Sequence, residues 1–398
     1  MPARVTLGND RTTSADGRPF FLIGARHMPE DASPVDLRDA GFNAYRTLAF
    51  GHESGDPEPI PDDLEGIYFW SYVYDRADFT KSSDHPRELS ESIRRLREHP
   101  ALLCYENYNE PTLLYKSDQF KTQPEDLAKG TAALRDLDKD HPIWLAHACG
   151  NTVDTLRRFN DCADIVGCNP YPVYVPGMRR HIGVREDGSM LDCPDSTIHA
   201  VGRYTQKMIA VGQNRKPVWM LIQAMANEHW FDPGHTPELA GQSVDATKVL
   251  YPTWHQMRFM AYDAIIAGAT GLAFAMHKTP AKGQIWDSIR RLVGELRDLH
   301  DVLASPTVAQ PVEIMCEDLG CTIWDGVITT TRHIGGALVV IAANTAIDPA
   351  RACIRLPPDA GLVADVYSED RQIVVDGGSF TDDFEPHAVH VYQFEASG

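Results

Sequence analysis

Apolar runs of strand length, each followed by a crossover segment, recur at spacings of roughly 25 to 50 residues through the first three quarters of the chain. They are PFFLIGARHM, NAYRTLAF, IYFWSYVYDR, PALLCYENYN, PIWLAHACGN, ADIVGCNPYPV, KPVWMLIQAM and TGLAFAMHK. Helical periodicity fills most of the intervals, in SPVDLRDAGF, SESIRRLREH, PEDLAKGTAALRDLDK, TVDTLRRFNDC, HAVGRYTQKMIAVG and TWHQMRFMAYDAIIAG, and IWDSIRRLVGELRDLHDVL follows the last run. Strands separated by helices pair in parallel, and eight such units can close on themselves. The expected fold is therefore α/β, a (β/α)8 TIM barrel. The interval between Phe50 and Ile67 is acidic and Pro-rich and does not read as a helix.

The pattern changes after Ser305. GGALVVIAAN, ACIRLP, LVADVYS, RQIVVDG and AVHVYQF are short runs separated by turn residues and predict a small antiparallel β-sandwich. This tail carries no Lys, 4 Arg and 14 Asp plus Glu, about half of the net charge of −19. A solvated acidic face accounts for that. The opening VTLGNDRTTSADGRPFF reads as a hairpin that closes the bottom of the barrel or pairs with the tail. The expected division is 1–18 for the hairpin, 19–304 for the barrel and 305–398 for the sandwich.

Net charge of this sign speaks against nucleic acid or an anionic membrane surface as partner. No apolar run reaches the roughly 18 residues needed to span a bilayer. The start, MPARVTLGND, lacks a leader's charged-then-apolar layout, and 8 Cys without a CxxC pair do not form a disulfide framework. These features predict a cytoplasmic protein with reduced thiols, or a secreted one if a leader has been removed. No cofactor is expected and no metal site: HExxH is absent, Cys162 and Cys168 have the wrong spacing for zinc, and His229 and His235 lack a third ligand. The sequence leaves the oligomeric state open.

Chemistry in a parallel barrel gathers at the C-terminal ends of the strands. Those ends carry Arg26 and His27, Arg46, Asp75 and Asp78, Asn109 and Glu110, His147, Asn169 and Tyr171, Gln223, and His277 with Lys278. Carboxylates, amides and aromatics suit a neutral, hydroxyl-rich ligand better than a phosphate, and no Gly-rich phosphate loop is present. HPALLCYENYNEP resembles the fourth strand of the large clan of (β/α)8 glycoside hydrolases in which Asn-Glu-Pro ends that strand. Similarity continues in DGRPFFLIGA, LRDAGFNAYR, NPYP and QMRFMAYDAIIAGATGL, and the closing FEPHAVHVYQF resembles the end of an appended sandwich.

The resemblance implies that Glu110 is the general acid/base and that Asn109 holds a sugar hydroxyl. It also implies a β-linked or otherwise equatorial substrate. Such chemistry needs a proton from a carboxyl of raised pKa and a second carboxylate about 5 Å away as nucleophile, or roughly 6.5–9.5 Å away as base. The clan's nucleophile is a Glu ending the seventh strand, where this chain has Gln223. Glu228 in the following loop, Asp75, and less strongly Asp78 or Glu238 are the candidates to replace it. Arg46 matches a clan Arg that steadies the carboxylates. Tyr171, Gln223, His277, Trp230 and Asp78 are expected at the substrate, with Trp254 and Trp286 as further stacking candidates. Two other readings stay open: a carbohydrate-binding pseudoenzyme that has lost the seventh-strand nucleophile, or a barrel lyase or transglycosidase in which Glu110 moves a proton but water is not the acceptor.

Overall fold

The computed structural model describes residues 3–29, 31–50, 58–61, 64–113, 120–174, 197–230, 249–307, 312–316, 325–358 and 360–395. Eight parallel strands form its central sheet, and all eight fall within the runs expected to form them. In chain order they are Leu22–Ala25, Ala44–Thr47, Tyr68–Tyr72, Leu102–Glu106, Ile143–His147, Ile165–Cys168, Trp219–Gln223 and Gly271–Ala275. Neighbours in sequence are neighbours in space, the eighth pairs with the first, and a parallel bridge between Val166 and Val218 joins the sixth to the seventh. The sheet is thus a barrel. Among the described residues no helix separates the second strand from the third, and no helix is long and apolar enough to cross a membrane.

Alternation along each strand sorts the side chains. Trp70, Trp144 and Trp219, from the third, fifth and seventh strands, point inward and meet edge to face at centroid distances of 5.7 and 5.6 Å. Alternate strands filling one layer is the packing rule of such barrels. Three indoles leave little room beside them. A Cβ on Gly167 would stand 1.8 Å from the Trp219 carbonyl oxygen, so only glycine lets the sixth strand approach the seventh there. The outward residues, such as Leu102, Tyr105, Leu145, Met220 and Ile222, pack beneath the helices.

A three-stranded antiparallel sheet, Val5–Leu7, Thr13–Ala15 and Arg18–Phe20, precedes the barrel. The C-terminal part is two antiparallel sheets. One orders Glu313–Cys316, Ala350–Arg355 and Ser379–Phe384; the other orders Val327–Ile334, Ala337–Asn344, Val389–Phe394, Val363–Val366 and Arg371–Val374. The Ala337–Asn344 strand is apolar up to its last residue because both its faces are covered. Leu338, Val340 and Ala342 face the sandwich core, while Val339, Ile341 and Ala343 join the barrel's core. Arg258, from the helix Trp254–Ile266, locks this contact: its guanidinium grips the Glu295 carboxylate at 2.8–3.0 Å and donates to the Val389 carbonyl at 2.7 Å.

His199 forms a second tie between the two parts. Its Nδ1 lies 2.9 Å from Asp263 of the barrel and its Nε2 lies 2.9 Å from Asp325, which leads into the sandwich. Burial opposes the charged imidazole, but the two carboxylates outweigh it and raise its pKa. A group whose pKa is raised on folding gives its full stabilisation below the unfolded value of about 6.5 and loses it as pH climbs through the folded value. The difference in urea midpoint between wild type and His199→Gln is therefore expected to be largest at mildly acidic pH and to shrink as pH rises. A gap independent of pH would show that the imidazolium contributes nothing.

Candidate active site

Inward alternation carries past the tryptophan layer to the mouth of the barrel, at the strands' C-terminal ends. There Arg26, Arg46, Tyr72 and Glu106 follow Gly24, Ala44, Trp70 and Cys104 on the interior face, and Asn169 follows Gly167. Glu106 is fully buried. One of its oxygens accepts from Arg26 at 2.7 Å, and the other accepts from the Trp70 indole N–H at 2.9 Å with Arg46 at 3.9 Å. A buried carboxylate requires such partners. Arg26 also donates to Asn109 Oδ1 at 2.7 Å and to Asn169 Oδ1 at 3.2 Å, and Asn169 donates to Asn109 Oδ1 at 3.3 Å. Arg46 lies over the Tyr72 ring at 5.2 Å. The floor of the mouth is one connected polar network centred on Arg26.

Glu110 stands beside that network, one residue beyond Asn109. Its backbone occupies the left-handed region at φ 51°, and its N–H donates to the Ala146 carbonyl on the fifth strand at 2.8 Å. A non-glycine residue held there carries strain, of order 1–3 kcal/mol, that the surrounding structure must impose. Burial holds the Glu110 carboxyl above its ordinary range, against the opposing charges of Lys121 and Arg26 and the Asn169 amide. Burial also pushes the Tyr171 phenol up, against Arg26 and with a contribution from the Glu110 charge, which places Tyr171 in the same electrostatic neighbourhood. His277 packs edge to face on His27 at 5.6 Å, and its carbonyl accepts from His229 Nδ1 at 3.1 Å. Burial and the charges of Arg46 and Arg26 hold His27 well below its ordinary value, so it is the neutral ring.

Gln223 is held by the backbone around it. It is fully buried, and its amide clasps the chain after the sixth strand: Oε1 accepts from Val173 N at 2.8 Å, while Nε2 donates to the carbonyls of Val173 at 2.9 Å and Met225 at 3.2 Å. Asn227 repeats the device, donating to the Tyr171 and Val173 carbonyls at 3.3 and 2.7 Å. Glu228 follows on the turn Asn227–Trp230, 6% exposed, with one oxygen accepting from Leu250 N at 3.2 Å. Asp75 pairs with Arg76 at 2.9 Å and lies 3.8 Å from His85. Asp78 is 1% exposed and ties its own turn, one oxygen accepting from the Thr80 N–H and hydroxyl at 2.9 and 2.5 Å.

His147 was expected at the mouth and is not there. Trp144 and Ala146 point inward, so alternation turns His147 outward, where it meets Phe159 and burial lowers its pKa to about 3. Trp254 stacks with Arg258 and Arg291, and Trp286 is buried in the barrel's core, so both are packing residues of the helices. The Trp230 side chain, Glu238 and His235 lie outside the described residues. Among the described residues no group of three or more His, Cys, Asp or Glu could hold a metal ion. Two participants were not assigned a role from sequence. Glu106 was legible, because a charge two positions beyond Cys104 must point into the barrel. Lys121 was not, because only the folded loop returns it to Glu110.

No family model matches the chain, and no curated protein does. Solved structures do match its fold along almost the whole length. A protein described as a glycoside hydrolase superposes with a TM-score of 0.61 at 12% identity, covering 99% of this chain and 97% of the other. A family 5 glycoside hydrolase from Bacteroides vulgatus gives 0.58 at 13% identity, covering 99% and 93%. An α-amylase from Geobacillus thermoleovorans, solved with acarbose, gives 0.55 at 9% identity, covering 95% and 98%.

Proposed function

We propose that this chain is a glycoside hydrolase whose general acid/base is Glu110. One observation carries the reading. A carboxyl at the end of the fourth barrel strand is held in a strained backbone conformation, raised in pKa by burial, and flanked by two amides that a buried arginine fixes in place. A protonated carboxyl of this kind delivers a proton to a departing sugar oxygen, and the neighbouring amides suit hydroxyl groups on the ring. The neighbours described as glycoside hydrolases share this barrel, which supports a carbohydrate substrate.

Glu228 is the partner carboxylate in this reading. It sits in the loop after the seventh strand, buried enough for its charge to count, whereas Asp75 is engaged by Arg76 and Asp78 by its own turn. Gln223 is a structural clasp, not a converted nucleophile. Gln223→Glu would turn the Nε2 donor into an acceptor facing two carbonyls, so it is expected to cost about 1–3 kcal/mol in urea unfolding. It is expected to add no hydrolytic rate. A stable, faster Gln223→Glu enzyme would mean that the seventh-strand position is catalytic after all.

The missing carboxylate at Gln223 also favours a second reading, a carbohydrate-binding protein without turnover. Hydrolysis of aryl β- and α-glycosides and short oligosaccharides by wild type, Glu110→Gln and Glu228→Gln separates the two. The proposal expects turnover in wild type and its loss in both variants. Binding of oligosaccharides with no turnover in wild type would replace it with the second reading.

A further inference from the structure

Lys121 and Glu110 are eleven positions apart in sequence, yet the fold brings them near enough for their charges to act on one another. Its backbone N–H donates to the Pro111 carbonyl at 2.8 Å, so the loop that leaves the fourth strand returns to the residue next to the acid. The side chain is partly buried. An ammonium withdrawn from water is costly unless a nearby charge compensates it. The groups facing it are the Glu110 carboxyl and, unfavourably, Arg26, and burial pulls the ammonium below its ordinary pKa. Among the described residues the charged and titratable neighbours of Glu110 are Lys121 and Arg26, with Tyr171 and Cys168 from the sixth strand and the chain after it.

Arg26 is already committed to Glu106 at 2.7 Å, so its charge is largely spent before it reaches Glu110. Among the described residues Lys121 is the cation that most opposes the effect of burial, ahead of Arg26. Resting on the assignment of Glu110 as the acid, we propose that Lys121 is the positioning residue that governs its protonation, fixing the pH above which the enzyme loses its proton donor. Without the ammonium the carboxyl would keep its proton to higher pH, and the base that must form later in the cycle would be harder to generate.

The test compares wild type with Lys121→Met and Lys121→Arg, using the full chain and an aryl glycoside that wild type hydrolyses. Lys121→Met is expected to move the alkaline limb of the kcat/KM profile upward by about one pH unit, the effect of removing one nearby opposite charge. Lys121→Arg is expected to restore the wild-type limb. A parallel titration of the Glu110 carboxyl by carbon NMR, assigned by its absence in Glu110→Gln, reads the same shift without any turnover. The proposal therefore stands or falls even if the chain hydrolyses nothing. An unmoved Glu110 titration in Lys121→Met overturns it. So does a Lys121→Met enzyme with the wild-type pH profile that loses rate only on substrates bearing a negative charge, because Lys121 would then be a substrate contact.

Discussion

Glu110→Gln is expected to slow the release of an unactivated sugar alcohol by about 10²–10⁴-fold, the range that general acid catalysis supplies. The effect should depend on the leaving group. A dinitrophenolate departs without a proton, so the variant should lose far less rate on that substrate, and external azide or formate should accelerate it if a glycosyl-enzyme accumulates. Equal losses on good and poor leaving groups would mean that Glu110 binds or orients substrate and does not donate a proton. The amide is nearly isosteric with the carboxyl, and the backbone at φ 51° is held by the Ala146 hydrogen bond rather than by the side chain. The protein should therefore fold normally.

Arg26→Met is expected to be the most destabilising single change at the mouth, by about 3–5 kcal/mol, the cost of leaving one member of a buried ion pair unpaired. Arg26 is 3% exposed and Glu106 is fully buried. Without the guanidinium the carboxylate keeps the Trp70 indole at 2.9 Å and a distant Arg46 at 3.9 Å. The same change releases the Asn109 and Asn169 oxygens, so activity should fall beyond what stability alone explains. The double variant Arg26→Met/Glu106→Leu separates the two effects. Replacing a buried pair by apolar groups is often close to neutral, so stability should largely recover while activity stays low. An unchanged urea midpoint in Arg26→Met would show that the pair does not hold the mouth together.

Much of the barrel was legible because its signal is local. Each strand is a short apolar run bounded by a crossover, and the step of two residues decides which side chains face inward. The same step, applied strictly, turns His147 outward and Glu106 inward. Strands Val327–Ile334 and Ser379–Phe384 were harder, since VITTTRHI and SFTDDF carry threonine and aspartate where an apolar run would announce a strand. The clasp made by Gln223 depends on the backbone of Val173, fifty residues earlier, which no local pattern reveals. Lys121 is hidden for a similar reason: its neighbour is chosen by the path of a loop, not by spacing. The resemblance at Asn109-Glu110-Pro111 drew attention to the right strand end but could not say what Gln223 does there.

Product analysis of wild-type protein incubated with a panel of aryl glycosides and short oligosaccharides tests the central claim most directly. The account predicts a new reducing end and a free alcohol in equal amounts, with the alkaline limit of the rate set by a single carboxyl that disappears in Glu110→Gln. A product bearing a new double bond or a new glycosidic link, or tight saccharide binding without any product, would contradict it.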